Sequence, residues 1–311
     1  MNARQITYDA IASQLSWPDA INALKAGHMR PKASTGDIVL GPPTGALVSR
    51  AAWIEGLGYG VKSFSVVEGN AERGIPTVQG AMFVFDPHHG SIEAIIESRL
   101  VTEFKTAADS VLGASYLARP DSRHLLIVGA GDVARSLIRA YPALFPQLEK
   151  VSIWARRKSQ SSALARQFEA DPLNVVAVSD LAAAASSADI IATATLAQEP
   201  VLKGEWVMPG THVDLIGAFR PNMREADDAL ISAGNVYVDS RETTIGYNGE
   251  LDIPIAKGVI ESSSVIGDLY DLIRGDVEGR RSEDEVTLFK NAGGAHLDLM
   301  ISHYISSVFG P

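Results

Sequence analysis

One short stretch limits this chain more than any other. Leu125-Leu126-Ile127-Val128 runs directly into Gly129-Ala130-Gly131-Asp132-Val133-Ala134. Four apolar residues in succession read as a strand buried on both faces. The G-x-G-x-x-A behind it reads as a turn into a helix. Its first glycine permits the tight bend, and its second lets the backbone approach a diphosphate. The small Ala134 lets the helix pack close to the strand, and the helix N-terminus faces an anion. Gly129, Ala130, Gly131, Asp132, Val133 and Ala134 are therefore candidate contacts of a dinucleotide. Taken alone, the pattern also serves a tight turn with no ligand, so its surroundings decide. Strand-like runs at Val151–Trp154, Val175–Val178, Ile190–Ala194, Val213–Ile216 and Val236–Val238 follow it. Helical stretches such as Asp132–Leu144, Ser159–Phe168 and Asp180–Ser186 lie between them. Short apolar strands alternating with helices mean a parallel sheet covered on both faces, the doubly wound Rossmann arrangement.

The N-terminal third reads differently. A short helix is expected over Asp19–Lys25, opened by Trp17-Pro18. Strands are expected at Ala46–Ser49, Tyr59–Val67, Gly80–Phe85 and Ser91–Glu97. Turn chemistry separates them at Gly41-Pro42-Pro43, Glu68-Gly69-Asn70 and Asp86-Pro87-His88-His89-Gly90. Strands joined by turns imply an antiparallel or mixed sheet. A helix over Val101–Leu117 stops before Pro120, and an amphipathic stretch over Gly293–Val308 closes the chain. The expected division is residues 1–119, completed by 293–311, and a dinucleotide-binding domain over 120–292.

Composition removes several classes of function. The chain has 311 residues, no Cys and a formal net charge of −10. No disulfide, iron–sulfur cluster, thiolate zinc site or cysteine nucleophile can form. Excess negative charge argues against nucleic acid or an anionic membrane as the main partner. Asp86-Pro87-His88-His89 lacks partner ligands for a metal and reads as a polar hairpin turn, so no metal site is expected. The opening residues show no apolar signal core, and no apolar run reaches the ~18 residues of a membrane span. A cytoplasmic location is the default expectation.

The second strand of a dinucleotide fold usually ends in Asp or Glu when the ribose carries a free 2′-hydroxyl. Here the strand ends Trp154-Ala155-Arg156-Arg157-Lys158. Three cations without a carboxylate suit a 2′-phosphate, which favours NADP(H) over NAD(H), with Arg156 and Arg157 as its contacts. A solvated basic turn is the competing reading.

Several further stretches resemble the ornithine cyclodeaminase/mu-crystallin family. They are Gly204 to Glu225, Thr106-Ala107-Ala108, Ala194-Thr195-Leu196-Ala197, Val238-Asp239-Ser240 and Thr287-Leu288-Phe289-Lys290, together with the Gly-Ala-Gly turn. The resemblance runs from about Tyr59 to about Asp298. It implies a Rossmann domain inserted into a smaller α+β domain that binds substrate and forms a homodimer. It adds Thr106, Thr195, Leu196, Ile216 and Gly217 as cofactor contacts. Lys62 takes the place of the family's substrate-domain lysine, with a role at the substrate carboxylate or in protonating nitrogen. Lys105 stands where the family usually has arginine. The family's arginine on the second strand is missing around Gly36–Leu40, and Arg50, at an unusual position, is the candidate replacement.

The family includes cyclodeaminases, ketimine reductases and alanine dehydrogenases. Cyclodeaminases carry an acid at the position of Phe219, and a phenyl ring cannot accept a proton. The resemblance therefore implies a ketimine reductase acting on a delta-1-pyrroline-2-carboxylate type of imino acid. Ornithine cyclodeamination, alanine dehydrogenation and a non-enzymatic, crystallin-like cofactor binder are the alternatives.

Overall fold

A computed structural model describes residues 3–42 and 45–310; Pro43, part of one expected turn, lies outside them. The described chain divides into two compact units. One comprises Met1–Ala108 and Gly294–Pro311, and the other Asp109–Gly293. The division falls within the helix Ser98–Leu117.

The first unit is built on a six-stranded mixed sheet. Its strands are β1 (Arg4–Ile6), β2 (Ser34–Leu40), β3 (Gly45–Ile54), β4 (Gly58–Val67), β5 (Val78–Phe85) and β6 (Ile92–Glu97), in the order β1-β6-β5-β4-β3-β2. Strands β2 to β6 form an antiparallel meander, and β1 pairs in parallel with β6. Residues of period two share a face, so register decides which side chains meet. It sets Asp37 opposite Arg50, Arg50 opposite Lys62 and Lys62 opposite Met82. Helix Ala295–Phe309 lies across β3, β4 and β5 and against helix Trp17–His28. It buries Leu297, Leu299, Met300, Ile301 and Ile305. That apolar stripe brings Asp298, on the same helix, to the sheet.

Strand β2 is the longest strand that sequence patterning did not show. Every one of its seven residues is exposed, including Ile38, Val39 and Leu40. A strand with no buried face carries no alternation to detect.

The second unit holds an eight-stranded, wholly parallel sheet. Its strands are β7 (His124–Val128), β8 (Lys150–Trp154), β9 (Asn174–Ala177), β10 (Ile190–Thr193), β11 (His212–Leu215), β12 (Asn235–Val238), β13 (Val265–Asp268) and β14 (Thr287–Lys290). The order is β13-β12-β14-β11-β10-β7-β8-β9. Leu126, Val128, Ile191, Val213, Leu215 and Leu288 fill the core on one face. From β7 the chain winds out to β8 and β9, then returns to the other side of β7 at β10. This reversal is the switch point at which open parallel sheets bind ligands. The α/β class expected from sequence, a Rossmann-like parallel sheet with a smaller mixed-sheet unit, is the fold observed. Among the described residues, no helix is long and apolar enough to cross a membrane.

Candidate functional site

In the second unit the glycine-rich turn sits at the switch point. Gly129 has φ +136°, and a Cβ there would lie 2.4 Å from the Ala194 carbonyl oxygen. Only glycine fits, because the end of β10 passes so close. Gly131 differs. A Cβ on it would meet nothing within 4 Å, so the protein's own packing does not require a glycine. The space in front of Gly131 stays clear for a ligand. Gly131 is also the N-cap of helix Asp132–Ala140, with no side chain capping it. The first N–H groups of this helix thus have no side-chain cap and lie at its positive dipole end, which suits a diphosphate. Ala134 is fully buried, as close packing of helix on strand demands. The Asp132 carboxylate is exposed and paired with Arg135, so this residue offers a ligand its backbone rather than its charge. These features fit a dinucleotide held by Gly129 to Ala134.

Thr195, Leu196, Ile216 and Gly217 follow β10 and β11, on the other side of the switch point from β8. Leu196 is strongly exposed, whereas Ile216 is buried. Beneath them lies a group that sequence reasoning did not single out. Glu225 is completely buried. It accepts from Thr195 N, Thr195 Oγ1 and Thr193 Oγ1, each at 2.7 Å, and from Gly217 N at 2.6 Å. Glu250, also buried, accepts from the backbone N–H groups of Glu225 and Ala226, both at 2.9 Å. Burial, then the neighbouring Glu225 charge, pushes the Glu250 carboxyl up to about 7. Asp214 rises to about 7 for the same first reason, burial. Lys290, buried near these acids, donates to the carbonyls of Leu215 at 2.9 Å and Asn291 at 3.1 Å. Glu225 and Lys290 end two of the family-like stretches, which was the one available signal.

The first unit holds the lysines. Lys62 and Lys105 are both buried, and both donate to one oxygen of Asp298, at 2.6 and 2.7 Å. Asp298 is fully buried, and its other oxygen, Oδ2, has no hydrogen-bond partner. Two ammonium groups share a single carboxylate, so the cluster carries one excess positive charge. Burial lowers the Lys62 ammonium to about 7, with further lowering by Lys105 and Arg50 against the pull of Asp298. Burial would raise Asp298, but the Lys105 and Lys62 charges outweigh it and hold the carboxyl at about 2. Arg50 lies directly across from Lys62 on β3 and pairs with Asp37 on β2 at 2.9 Å. Sequence position alone made Arg50 unusual; the register of β2, β3 and β4 puts it in the row with Lys62. Thr106 follows Lys105 on helix Ser98–Leu117 and is half-buried. Asp298 was missed because it reads as one more polar residue on an amphipathic helix.

Other polar groups have structural partners. Asp86 Oδ1 accepts from the His88 and His89 backbone N–H groups. Among the described residues no cluster of His, Asp or Glu could hold a metal. His212 is buried in β11 against Thr287, and burial lowers its imidazole to about 3. Phe219 is exposed, with the Arg220 guanidinium over its ring.

Comparison with known proteins places these features in context. The model of the ornithine cyclodeaminase/mu-crystallin family matches residues 47–308. A delta(1)-pyrroline-2-carboxylate reductase of Paracoccus denitrificans is 61% identical over 303 residues, covering 97% of this chain and 96% of its own. A solved delta(1)-pyrroline-2-carboxylate reductase of Thermococcus litoralis, in complex with NADH and L-proline, superposes with a TM-score of 0.93 at 26% identity, covering 98% and 97% of the two chains. An archaeal alanine dehydrogenase dimer with bound NAD gives 0.92 at 27% identity over 99% and 96%. Both solved relatives carry the cofactor without a 2′-phosphate, which overturns the expectation of NADP(H). The physical reason is visible at the end of β8. Arg156 and Arg157 are exposed on the turn into helix Lys158–Arg166, where water solvates their charge. Cations in such a position do not by themselves select a phosphate.

Proposed function

The chain belongs to the ornithine cyclodeaminase/mu-crystallin family, and from that premise we propose that it reduces a cyclic ketimine of the delta-1-pyrroline-2-carboxylate type to the L-amino acid, L-proline for the five-membered ring, using NADH. The observation that carries this reading is the buried Lys62–Lys105–Asp298 cluster. Its excess positive charge matches a substrate with one carboxylate, and a lysine titrating near neutrality matches a nitrogen that must gain a proton. The 61% identity to a pyrroline-2-carboxylate reductase along nearly the whole chain supports the same substrate.

The dinucleotide is held in the second unit by the turn Gly129–Ala134, with Thr195, Leu196, Ile216 and Gly217 following the next two strands. Bound NADH supplies the hydride that the imine carbon accepts. In the first unit Lys105 pairs with the substrate carboxylate, aided by Arg50. Lys62 gives its proton to the imine nitrogen, so the C=N bond becomes CH–NH and Lys62 is left neutral until water reprotonates it. Asp298 fixes both ammonium groups through one oxygen and limits how far burial lowers Lys62. Thr106, next to Lys105 on the same helix, is proposed as a further cofactor contact.

Cyclodeamination of ornithine needs a group for the side-chain amine, and Phe219 supplies none. The protein is proposed to be a homodimer, in keeping with the dimeric archaeal relative. Supporting this, β2 is an exposed edge strand bearing Ile38, Val39 and Leu40, with Leu47 and Trp53 exposed on β3. Such edges are normally covered. A cytoplasmic location is proposed with this reading, since NADH is regenerated inside cells. The test is NADH absorbance on adding the imine. Its loss, matched by L-proline formed, is expected; an unchanged signal would sink the reading.

A further inference from the structure

Loops at the C-terminal ends of parallel strands need a fixed support if they are to hold a ligand. In the second unit that support is buried. Each oxygen of Glu225 accepts one backbone N–H and one hydroxyl. Oε1 takes Thr195 N and Thr195 Oγ1; Oε2 takes Gly217 N and Thr193 Oγ1. Four donors fill the acceptor capacity of a carboxylate. One oxygen therefore holds the loop after β10, and the other holds the loop after β11. The fit leaves no slack. A Cβ on Gly217 would lie 2.1 Å from the Thr195 carbonyl and 2.5 Å from Glu225 Oε1. Glu250 anchors Glu225 in turn, through two backbone N–H groups.

A dinucleotide on an open parallel sheet spans the switch point, with its adenosine half on the side of β7 and β8 and its second half over the strands beyond the reversal. Here those strands are β10 and β11, whose loops Glu225 joins. We propose that Glu225 is a positioning residue that locks these two loops into the bed for the nicotinamide half of NADH, without touching the cofactor itself. This rests on the reading of the second unit as an NADH site.

The proposal makes a selective prediction. In Glu225→Gln, one oxygen becomes an NH2 group. Since each oxygen faces a backbone N–H, either orientation of the amide sets donor against donor at Thr195 or at Gly217. One loop is released, while no hydrogen bond to the turn Gly129–Ala134 is removed. NADH should bind about ten-fold or more weakly. ADP-ribose, which lacks the nicotinamide, should keep its affinity within about two-fold. Thr193→Val is the milder variant. It removes one hydroxyl from Glu225 at a buried strand position and should weaken NADH about three-fold, again sparing ADP-ribose. If Glu225→Gln does not fold, Thr193→Val decides. Fluorescence titration with NADH, and competition by ADP-ribose against it, gives both constants. Equal losses for the two ligands, or none for either, would overturn the proposal by showing a merely structural role. These binding constants do not depend on turnover. Wild-type protein that binds NADH but leaves the imine unreduced would sink the proposed function and still test this inference.

Discussion

Replacing Lys62 by Met probes the proposed chemistry at its centre. Methionine keeps an unbranched apolar stem in the place of the lysine stem on β4, so packing against the sheet is largely kept. What disappears is an ammonium 2.6 Å from Asp298. The cluster then has Lys105 against Asp298 and no excess charge for a substrate carboxylate. A lost charge-assisted contact amounts to about 1.5–3 kcal/mol, or ten- to a hundred-fold. Losing the proton donor costs about a hundred-fold more where it acts in the transition state. A fall in kcat/KM for the imine of at least about a hundred-fold is therefore expected. NADH affinity should stay within about two-fold, since the cofactor cradle belongs to the other unit. The pH profile adds a second readout. Lys62 titrates at about 7 rather than 10.5. The charged, proton-donating form is thus present below pH 7 and is lost as pH rises through it. Wild-type kcat/KM should fall on the alkaline side of about 7, and Lys62→Met should lack that limb. Steady-state rates at several pH values, with fluorescence titration of NADH, measure both. Near-native turnover in Lys62→Met would refute the reasoning, and so would a loss of NADH affinity equal to the loss of rate.

Other expectations follow from the same geometry. Asp298→Asn removes the charge that both lysines share, so burial should depress Lys62 further and move the alkaline limb below 7; two buried cations without their counter-ion should also destabilise the fold by about 3–5 kcal/mol in thermal or denaturant unfolding. Gly131→Ala places a methyl in open space, so stability should change by no more than about 1 kcal/mol, while NADH binding falls ten-fold or more because the diphosphate needs that space. Gly129→Ala should lose both stability and NADH binding, since its Cβ would meet the Ala194 carbonyl at 2.4 Å; unfolding and titration together separate the two glycines. With Phe219 in place of an acid, L-ornithine should yield no ammonia above background in a coupled ammonia assay.

Periodicity made the parallel sheet legible, because strands buried on both faces are short apolar runs and the glycine turn announces the switch point. The exposed β2 and the four-residue β13 and β14 carried too little apolar pattern to be placed as strands. Of the candidate substrate residues, Lys62 and Lys105 were reached through resemblance, and the structure joins them only through Asp298 on a helix at the far end of the chain. Arg50 stands out in the sequence only as a candidate replacement for the family's missing arginine, and it is β-sheet register, a long-range property, that sets it opposite Lys62. Glu225 and Glu250 were hidden for a related reason. A buried carboxylate is recognised by its donors, and these come from loops after β10 and β11 that sequence spacing does not bring together. The cofactor preference failed because residue type at the end of β8 shows charge but not its exposure, and exposure is what weakens the link between Arg156, Arg157 and a phosphate.

The central claim is tested most directly by kcat/KM for delta-1-pyrroline-2-carboxylate with each nicotinamide cofactor, L-proline being quantified in the same reactions. NADH should be consumed one for one with L-proline formed, and NADH should outperform NADPH by about ten-fold, a difference of about 1.4 kcal/mol. No turnover of the imine with either cofactor, or a clear preference for NADPH, would contradict the account.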